Sequence, residues 1–237
     1  MSSCLKNKEL NHDNNKGVGF FITLEGGEGS GKSVQCAKLC ERLTAEFPAR
    51  LIVRTREPGG APGAELIRQI LLTGDVDRWL PVSELLLFYA ARYDHWRRVI
   101  LPALEKGGIV VCDRFFDSSV VYQGRGLGLP EKFFRALHEM FEDCAQRSFV
   151  PDRTYVLDID PIEGIARSKT RILGDAKKNL AELEDRFERI DIDFHVRVRE
   201  GYHDILRNEP ERCVNIDASQ QIDDVHEEIW RDVVKVV

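Results

Sequence analysis

The chain has 237 residues, of which 43% are hydrophobic, and it carries a formal net charge of −6. This length and apolar content suffice for one α/β domain with a sizeable core. The acidic balance argues against a general nucleic-acid surface, and no apolar stretch reaches the length of a membrane span.

Residues 1–17 are polar, and we expect a disordered tail there, followed by one domain at 18–237. The tail contains no arginine and no apolar stretch of signal-peptide length, which argues against a secretion signal or a transit peptide. The six cysteines are scattered without C-x-x-C pairs, a pattern typical of reduced thiols. We therefore expect a cytoplasmic protein with neither nucleic-acid nor membrane partners.

The first predicted strand, at 19–24, leads into GGEGSGKS, which matches the phosphate-loop pattern G-x-x-x-x-G-K-[ST]. Apolar residues at helical spacing follow the loop, so the motif stands between a strand and a helix, as a phosphate loop must. Such a loop aims its backbone N–H groups and the helix N-terminus at phosphate oxygens. Lys32 would reach the β- and γ-phosphates, and the Ser33 hydroxyl would bind Mg²⁺. The predicted nucleotide-binding residues are Gly26, Gly27, Glu28, Gly29, Ser30, Gly31, Lys32 and Ser33.

Strands and helices alternate along the rest of the chain. We predict strands at 51–55, 109–113, 154–159 and 212–216, and helices at 62–72, 83–102, 115–122, 130–146 and 222–233. In the helix at 62–72 we expect Leu66, Ile67, Ile70 and Leu71 to face inward, and we expect Ser83 to cap the next helix. This alternation predicts an α/β fold with a parallel, doubly wound sheet that binds ligands at the carboxyl ends of its strands.

The strand at 109–113 is wholly apolar until it ends in Asp113, which Arg114 follows. A carboxylate at the end of a buried parallel strand would lie beside the phosphate loop. We predict that Asp113 holds Mg²⁺ there, directly or through water.

Four motifs follow the phosphate loop in the order and spacing of the thymidylate kinase family, which the chain resembles from about Phe20 to its C-terminus. They are REPGG at Arg56–Gly60, FYAAR at Phe88–Arg92, the pair Asp113–Arg114, and YQG at Tyr122–Gly124. The resemblance implies a P-loop kinase core with a five-stranded parallel sheet and helices on both faces. It also implies transfer of the γ-phosphoryl group of ATP to dTMP with Mg²⁺, and assembly as a homodimer.

The resemblance assigns residues to the sugar and phosphate of dTMP. Glu28 matches the acidic residue that contacts the sugar hydroxyl, and Arg56 and Arg114 match the arginines that clamp the acceptor phosphate. A planar guanidinium suits that role because it can donate two parallel hydrogen bonds. Tyr122 would lie against the deoxyribose, where it would crowd a 2′-hydroxyl.

A second group is assigned to the base. Phe88 matches the ring that stacks on thymine, and Arg92, four residues later on the same helix face, matches the group that hydrogen-bonds the base. Ser119 and Gln123 match positions that contact the base.

The charged stretch at about 166–190 resembles the lid that closes over ATP in this family, and includes Asp185, Arg186, Phe187 and Glu188. Because the phosphate loop has no arginine, the chain resembles the bacterial type, in which the lid supplies the catalytic arginine. Arg171 aligns best with that residue, and Arg167 remains the alternative because this lid is longer than usual. The resemblance thus implies Lys32, Arg114 and Arg171 as the catalytic set.

Two other functions stay open at this stage. Another small-molecule kinase of this fold would share the loop and Asp113 but not the base-reading set of Phe88, Arg92 and Gln123. A nucleotide switch would hydrolyse ATP slowly, with no acceptor-dependent release of ADP.

Overall fold

The structure is a computed structural model, and it describes residues 18–145, 147–174 and 185–237, with the side chains of 143–145 and 171–174 outside that description. The predicted tail at 1–17 lies outside the described residues. The strands are β1 (Phe20–Gly26), β2 (Ile52–Arg56), β3 (Ile109–Asp113), β4 (Arg153–Asp158) and β5 (Cys213–Asp217). The helices are α1 (Lys32–Glu46), α2 (Pro62–Leu72), α3 (Pro81–His95), α4 (Leu101–Glu105), α5 (Phe116–Ser119), α6 (Glu131–Ala145), α7 (Pro161–Gly174), α8 (Ile192–Asn208) and α9 (Ile222–Val236).

The five strands form one parallel sheet in the order β2-β3-β1-β4-β5. β1 is central, and it pairs with β3 so that Leu24 stands opposite Asp113. The carboxyl end of β1 is therefore next to the carboxyl end of β3. This register places the residues that follow both strands at one edge of the sheet.

Alternate residues of β1 point to opposite faces of the sheet, as the twofold period of a strand requires. Ile22 and Leu24 are fully buried in a cluster that includes residues of α1 and α9. Phe21 points the other way and packs against Trp96 and Phe115, with ring centroids 6.0 and 4.9 Å apart. The predicted α/β fold, with a five-stranded parallel sheet and helices on both faces, is confirmed.

Two details of the helix predictions are wrong. Helix α3 begins at Pro81 rather than at a Ser83 cap, because a proline fits the first helical turn, where its missing N–H would have no partner. In α2, Leu66 and Ile70 are 66% and 37% exposed, so only part of its apolar face, including Leu71, is buried. Helical periodicity identifies an apolar face but not what covers it.

A π-helical segment, Val120–Gly126, continues α5 and carries Tyr122 and Gln123 toward the carboxyl end of the sheet. Single π-helical turns inside helices are frequent at functional sites. None of the helices in the described ranges is both long and apolar enough to cross a membrane.

Candidate active site

The phosphate loop bends between the end of β1 at Gly26 and the start of α1 at Lys32. Gly29 and Gly31 have φ angles of 67° and 89°, which favour glycine. A Cβ at Gly29 would also lie 1.9 Å from the backbone oxygen of Gly164. The glycines therefore permit a close turn that leaves the N-terminus of α1 facing the pocket.

The Lys32 ammonium is buried against the loop. It donates hydrogen bonds to the backbone oxygens of Gly26 and Gly27 at 3.1 and 2.6 Å, and to the Ser30 hydroxyl at 3.0 Å. Burial and the nearby charge of Arg114 lower the pKa of Lys32 to about 8. The ammonium is thus held beside the loop with its charge mostly retained at neutral pH.

Ser33 and Asp113 meet across the β1–β3 pairing. The Ser33 hydroxyl donates a hydrogen bond of 2.5 Å to Asp113 Oδ2. Both residues line the same pocket. The structure therefore brings together the two oxygen donors that the sequence singled out for a cation.

Arg114 contacts several residues around the phosphate loop. Its φ of 69° lies in the left-handed region, which is unusual for a residue with a side chain. Its guanidinium donates to the backbone oxygen of Gly26 at 2.9 Å, to Glu28 at 2.8 Å and to the Tyr122 hydroxyl at 2.9 Å. Burial would raise the pKa of the Glu28 carboxyl, but the charges of Arg114 and Lys32 outweigh it and hold that pKa at about 2.

Glu25, which sequence reasoning missed, lies fully buried beneath this group. Its carboxyl accepts hydrogen bonds from the Phe115 N–H at 2.7 Å, the Ser118 hydroxyl at 2.6 Å and the Tyr202 hydroxyl at 3.0 Å. Burial, followed by the charge of Asp117, raises the pKa of Glu25 to about 7. The feature of the sequence that could have identified Glu25 is a single charged residue within a strand of otherwise uncharged residues.

Arg92, assigned to the base, is only 2% exposed and is held by a buried carboxylate. Its Nε donates to Glu57 Oε2 at 2.6 Å, and it also donates to the Ser119 hydroxyl at 3.1 Å. The other oxygen of Glu57 is 3.0 Å from His95 Nδ1. The orientation of Arg92 is therefore fixed by Glu57, directly after β2, together with His95 on α3 and Ser119 on α5.

Three aromatic rings line the pocket near the predicted base position. Phe187 lies 6.3 Å from Phe88 and 5.5 Å from Tyr122 between ring centroids, edge-on to the latter. Phe187 belongs to the C-terminal part of the predicted lid, within the described residues that resume at 185. This segment thus contributes a wall to the same pocket as Phe88.

A buried carboxylate on α3, Glu84, was also missed. It accepts a hydrogen bond of 2.8 Å from Gln123 and one of 2.5 Å from Arg186. The feature of the sequence that could have identified Glu84 is an acidic residue beside the apolar run of α3.

The predicted lid is described only in part. Arg167 lies in α7, where it donates to the backbone oxygen of Ala218 at 2.8 Å and to Glu163 at 2.5 Å. The side chain of Arg171 and residues 175–184 lie outside the described residues. Arg56, on β2, donates to Glu65 at 3.0 Å.

All these groups surround one pocket of about 460 Å³. Most of the site residues predicted from the sequence line it: Glu28, Gly29, Gly31, Lys32, Ser33, Arg56, Phe88, Arg92, Asp113, Arg114, Ser119, Tyr122 and Gln123. Gly26, Gly27 and Ser30 do not line it, and instead accept hydrogen bonds from Lys32. A single pocket therefore combines a phosphate-binding loop with cationic and aromatic walls.

Comparison with known proteins agrees with this geometry. The family model described as Thymidylate kinase matches residues 24–229. The thymidylate kinase of Caulobacter vibrioides is 47% identical over 87% of this chain and 92% of its own length, and that of Magnetococcus marinus is 44% identical over 91% and 95%. The crystal structure of thymidylate kinase from Ehrlichia chaffeensis superposes with a TM-score of 0.70 at 31% identity, covering 91% of this chain and 98% of that one. The chain therefore belongs to the thymidylate kinase family.

Proposed function

We propose that this chain transfers the γ-phosphoryl group of ATP to dTMP, giving dTDP and ADP for dTTP synthesis. The observation that carries the proposal is the single pocket in which the phosphate loop, Arg114 and the base set of Phe88, Arg92 and Gln123 meet. Family membership supports the same reaction.

The phosphate loop and the start of α1 would bind the ATP phosphates through backbone N–H groups and Lys32. Lys32 donates to three oxygens of the loop, each of which a phosphate oxygen could replace as its acceptor.

The residues fit Mg²⁺. Ser33 and Asp113 supply two hard oxygen ligands 2.5 Å apart on the pocket wall. Among the described residues, no group of three or more His, Cys, Asp or Glu could hold a metal by itself, which suits an ion that keeps several waters and is shared with substrate phosphates. When bound, Mg²⁺ would neutralise charge on the β- and γ-phosphate oxygens.

On the acceptor side, Arg114 and Arg56 would bind the dTMP phosphate, and Glu28 would accept from the sugar hydroxyl. Glu28 suits this because its low pKa keeps it ionised as an acceptor. Tyr122 donates to Glu28 at 2.8 Å, which holds its ring beside the carboxylate proposed to contact the sugar. Phe88, Arg92, Ser119 and Gln123 would contact thymine.

The chemistry requires positioning and charge neutralisation rather than a general base. The attacking oxygen belongs to a phosphate whose second pKa is near 6, so it is largely ionised at neutral pH. Lys32, Arg114 and a lid arginine would offset the charge of two polyanions and of the transferring group. Closure of the lid would exclude water, so that dTMP rather than water accepts the phosphoryl group.

Glu25 positions Arg114 from below. Its carboxyl holds the N–H of Phe115, the residue directly after the left-handed Arg114. Arg114 in turn donates its own N–H to the backbone oxygen of Leu24, next to Glu25. These two hydrogen bonds fix the backbone on both sides of the arginine.

We assign the lid arginine to Arg171. Arg167 is engaged by Glu163 and by the backbone of Ala218, which supports a role for it in holding α7 against the end of β5. The resemblance to the family, in which Arg171 matches the lid arginine best, favours Arg171.

A cytoplasmic location is part of the proposal. The described cysteines Cys36, Cys40, Cys112 and Cys213 are buried and free, which supports a reducing compartment. Cell fractionation with an immunoblot tests this, and recovery in a secreted fraction would contradict it.

We propose a homodimer through α2 and α3, the helices whose outer apolar residues Leu66, Ile70, Leu86 and Tyr93 are exposed. Several large apolar side chains exposed on adjacent helices are typical of a partner surface. Sedimentation equilibrium is expected to give twice the monomer mass, and Leu66→Glu is expected to shift the protein to monomer. A monomer at micromolar concentration would contradict the assignment.

The acceptor is tested by ADP release from the purified protein with ATP and Mg²⁺, over dTMP, dUMP, dCMP, dGMP, AMP and thymidine. Fast release with dTMP and weak release with dUMP is expected, because the residues proposed for the base and the acceptor phosphate line one pocket. Another preferred acceptor would reject the base assignment. ADP release independent of any acceptor would instead indicate a nucleotide switch.

Replacing Lys32 or Arg171 by alanine is expected to lower kcat by at least ~100-fold, the scale of losing one preorganised charge contact. Lys38→Ala is the matched control for Lys32, because Lys38 lies on the same helix but pairs with Asp223 at the surface. Arg167→Ala is the comparison for Arg171→Ala, because Arg167 lines the pocket and is the alternative lid arginine; we expect the smaller loss of kcat in Arg167→Ala. Near-normal turnover in Arg171→Ala would overturn the lid assignment.

The buried Glu25 predicts a pH dependence of stability. Its pKa is raised from 4.5 to about 7 in the folded state, so its contribution is fully present below pH 4.5 and is lost as the pH rises through 7. Relative to the wild type, Glu25→Gln should therefore gain stability between pH 5 and 8. The gain has an upper bound of about 3.5 kcal/mol, at roughly 1.4 kcal/mol per pKa unit.

Urea unfolding at several pH values measures the free energy of unfolding of the wild type and of Glu25→Gln. Groups that titrate equally in both proteins do not contribute to the difference between the two values. A difference in the free energy of unfolding that is constant from pH 5 to 8 would show that Glu25 does not titrate there.

A further inference from the structure

Glu84 lies on α3 with no exposed surface and contacts the predicted base site without lining the pocket itself. A buried carboxylate is costly unless its oxygens accept hydrogen bonds, preferably from a cation. Each oxygen of Glu84 has such a partner: Oε1 accepts from Gln123 and Oε2 from Arg186. The carboxylate therefore joins a residue of the base site to the C-terminal part of the predicted lid.

The contact with Glu84 decides which way the Gln123 amide points. A carboxylate only accepts hydrogen bonds, so the NH₂ group of Gln123 must face it, as the 2.8 Å contact from Nε2 shows. The amide carbonyl is then the end left for the pocket, which Gln123 lines. Among the described residues, none donates a hydrogen bond to that carbonyl oxygen.

The direction of this amide matters for the choice of base. Thymine carries a hydrogen on N3 and can donate to a carbonyl oxygen, whereas N3 of cytosine is itself an acceptor. A carbonyl presented to the pocket favours thymine and repels cytosine. A reversed amide, with its NH₂ group toward the pocket, would favour cytosine instead.

Arg186 holds the Glu84 carboxylate in place. Its guanidinium donates to Glu84 at 2.5 Å and to the backbone oxygens of Leu71, Asp75 and Val76 at 3.1, 3.2 and 2.9 Å. The arginine is only 2% exposed, so this pairing is screened little by water. Its neighbour Phe187 packs against Phe88 and Tyr122.

We infer that Glu84 is a specificity-determining positioning residue: held by Arg186, it orients the Gln123 amide so that its carbonyl selects thymine over cytosine. This rests on the proposed function, in which Gln123 contacts the base. Glu84 acts through Gln123 and does not touch the substrate.

The test is the ratio of kcat/KM for dTMP to kcat/KM for dCMP, measured with ATP and Mg²⁺. Glu84→Gln keeps the shape of the side chain but can donate as well as accept, so the Gln123 amide is free to reverse. The ratio is expected to fall by at least ~10-fold, the scale of one misdirected buried hydrogen bond. A merely structural loss would lower both rates and leave the ratio unchanged.

Glu84→Asp keeps the negative charge opposite Arg186 and covers the case in which Glu84→Gln does not fold. Because its side chain is one methylene shorter, it loosens the contact with Gln123, and the ratio is expected to fall here too. In a Gln123→Met background, which has no amide to orient, adding Glu84→Gln should leave the ratio where Gln123→Met alone puts it.

Asp232→Asn is the matched control. Asp232 forms a two-oxygen pair with Arg153 at 2.7 and 2.8 Å, and neither residue lines the pocket. This variant should lower stability without changing the ratio.

An unchanged ratio in whichever Glu84 variants fold, in an enzyme whose wild type phosphorylates dTMP, would overturn the inference and leave the proposed function standing. A wild-type chain inactive on dTMP would overturn both.

Discussion

The parallel pairing of β1 with β3 is the constraint on which the site depends. It sets Leu24 opposite Asp113, so the phosphate loop and the Asp113–Arg114 turn leave the sheet side by side. Ser33 can then reach Asp113, and Arg114 can reach the backbone of Gly26. One register thus joins the part that would bind ATP to the part that would bind the acceptor phosphate. A slip of one residue would turn every side chain of the strand to the other face.

Buried arginines need nearby carboxylates to offset the cost of removing their charge from water. Three arginines near the pocket are each held by a buried or largely buried carboxylate, in the pairs Arg114–Glu28, Arg92–Glu57 and Arg186–Glu84. The geometry is close in each pair, as a buried pair requires if attraction is to offset desolvation. The carboxylates also fix the direction in which each guanidinium can donate.

The sequence predicted those parts of the molecule that are encoded locally. The phosphate loop needs glycines at set positions before a lysine, and the strands lie within two residues of their predicted bounds. Asp113 follows from strand topology, since carboxyl ends of neighbouring parallel strands meet. The resemblance to a family supplied the roles of Phe88 and Arg92, and from its pattern alone Phe88 would be a core residue.

What escaped the sequence depends on contacts between distant segments. Glu25 and Glu84 look like isolated charges in apolar elements, and only the fold shows their partners 39 to 177 residues away. The left-handed backbone of Arg114 is imposed by hydrogen bonds from both sides rather than by residue type. Exposure of Leu66 on α2 likewise depends on which neighbours cover that helix.

The most direct test of phosphoryl transfer within this pocket is ³¹P NMR of a reaction containing ATP, Mg²⁺, dTMP and the purified protein. Loss of the ATP γ-phosphate signal should be matched by growth of the two coupled signals of dTDP, with no inorganic phosphate beyond the enzyme-free rate. Growth of inorganic phosphate in place of dTDP would contradict it, because water rather than dTMP would then be the acceptor.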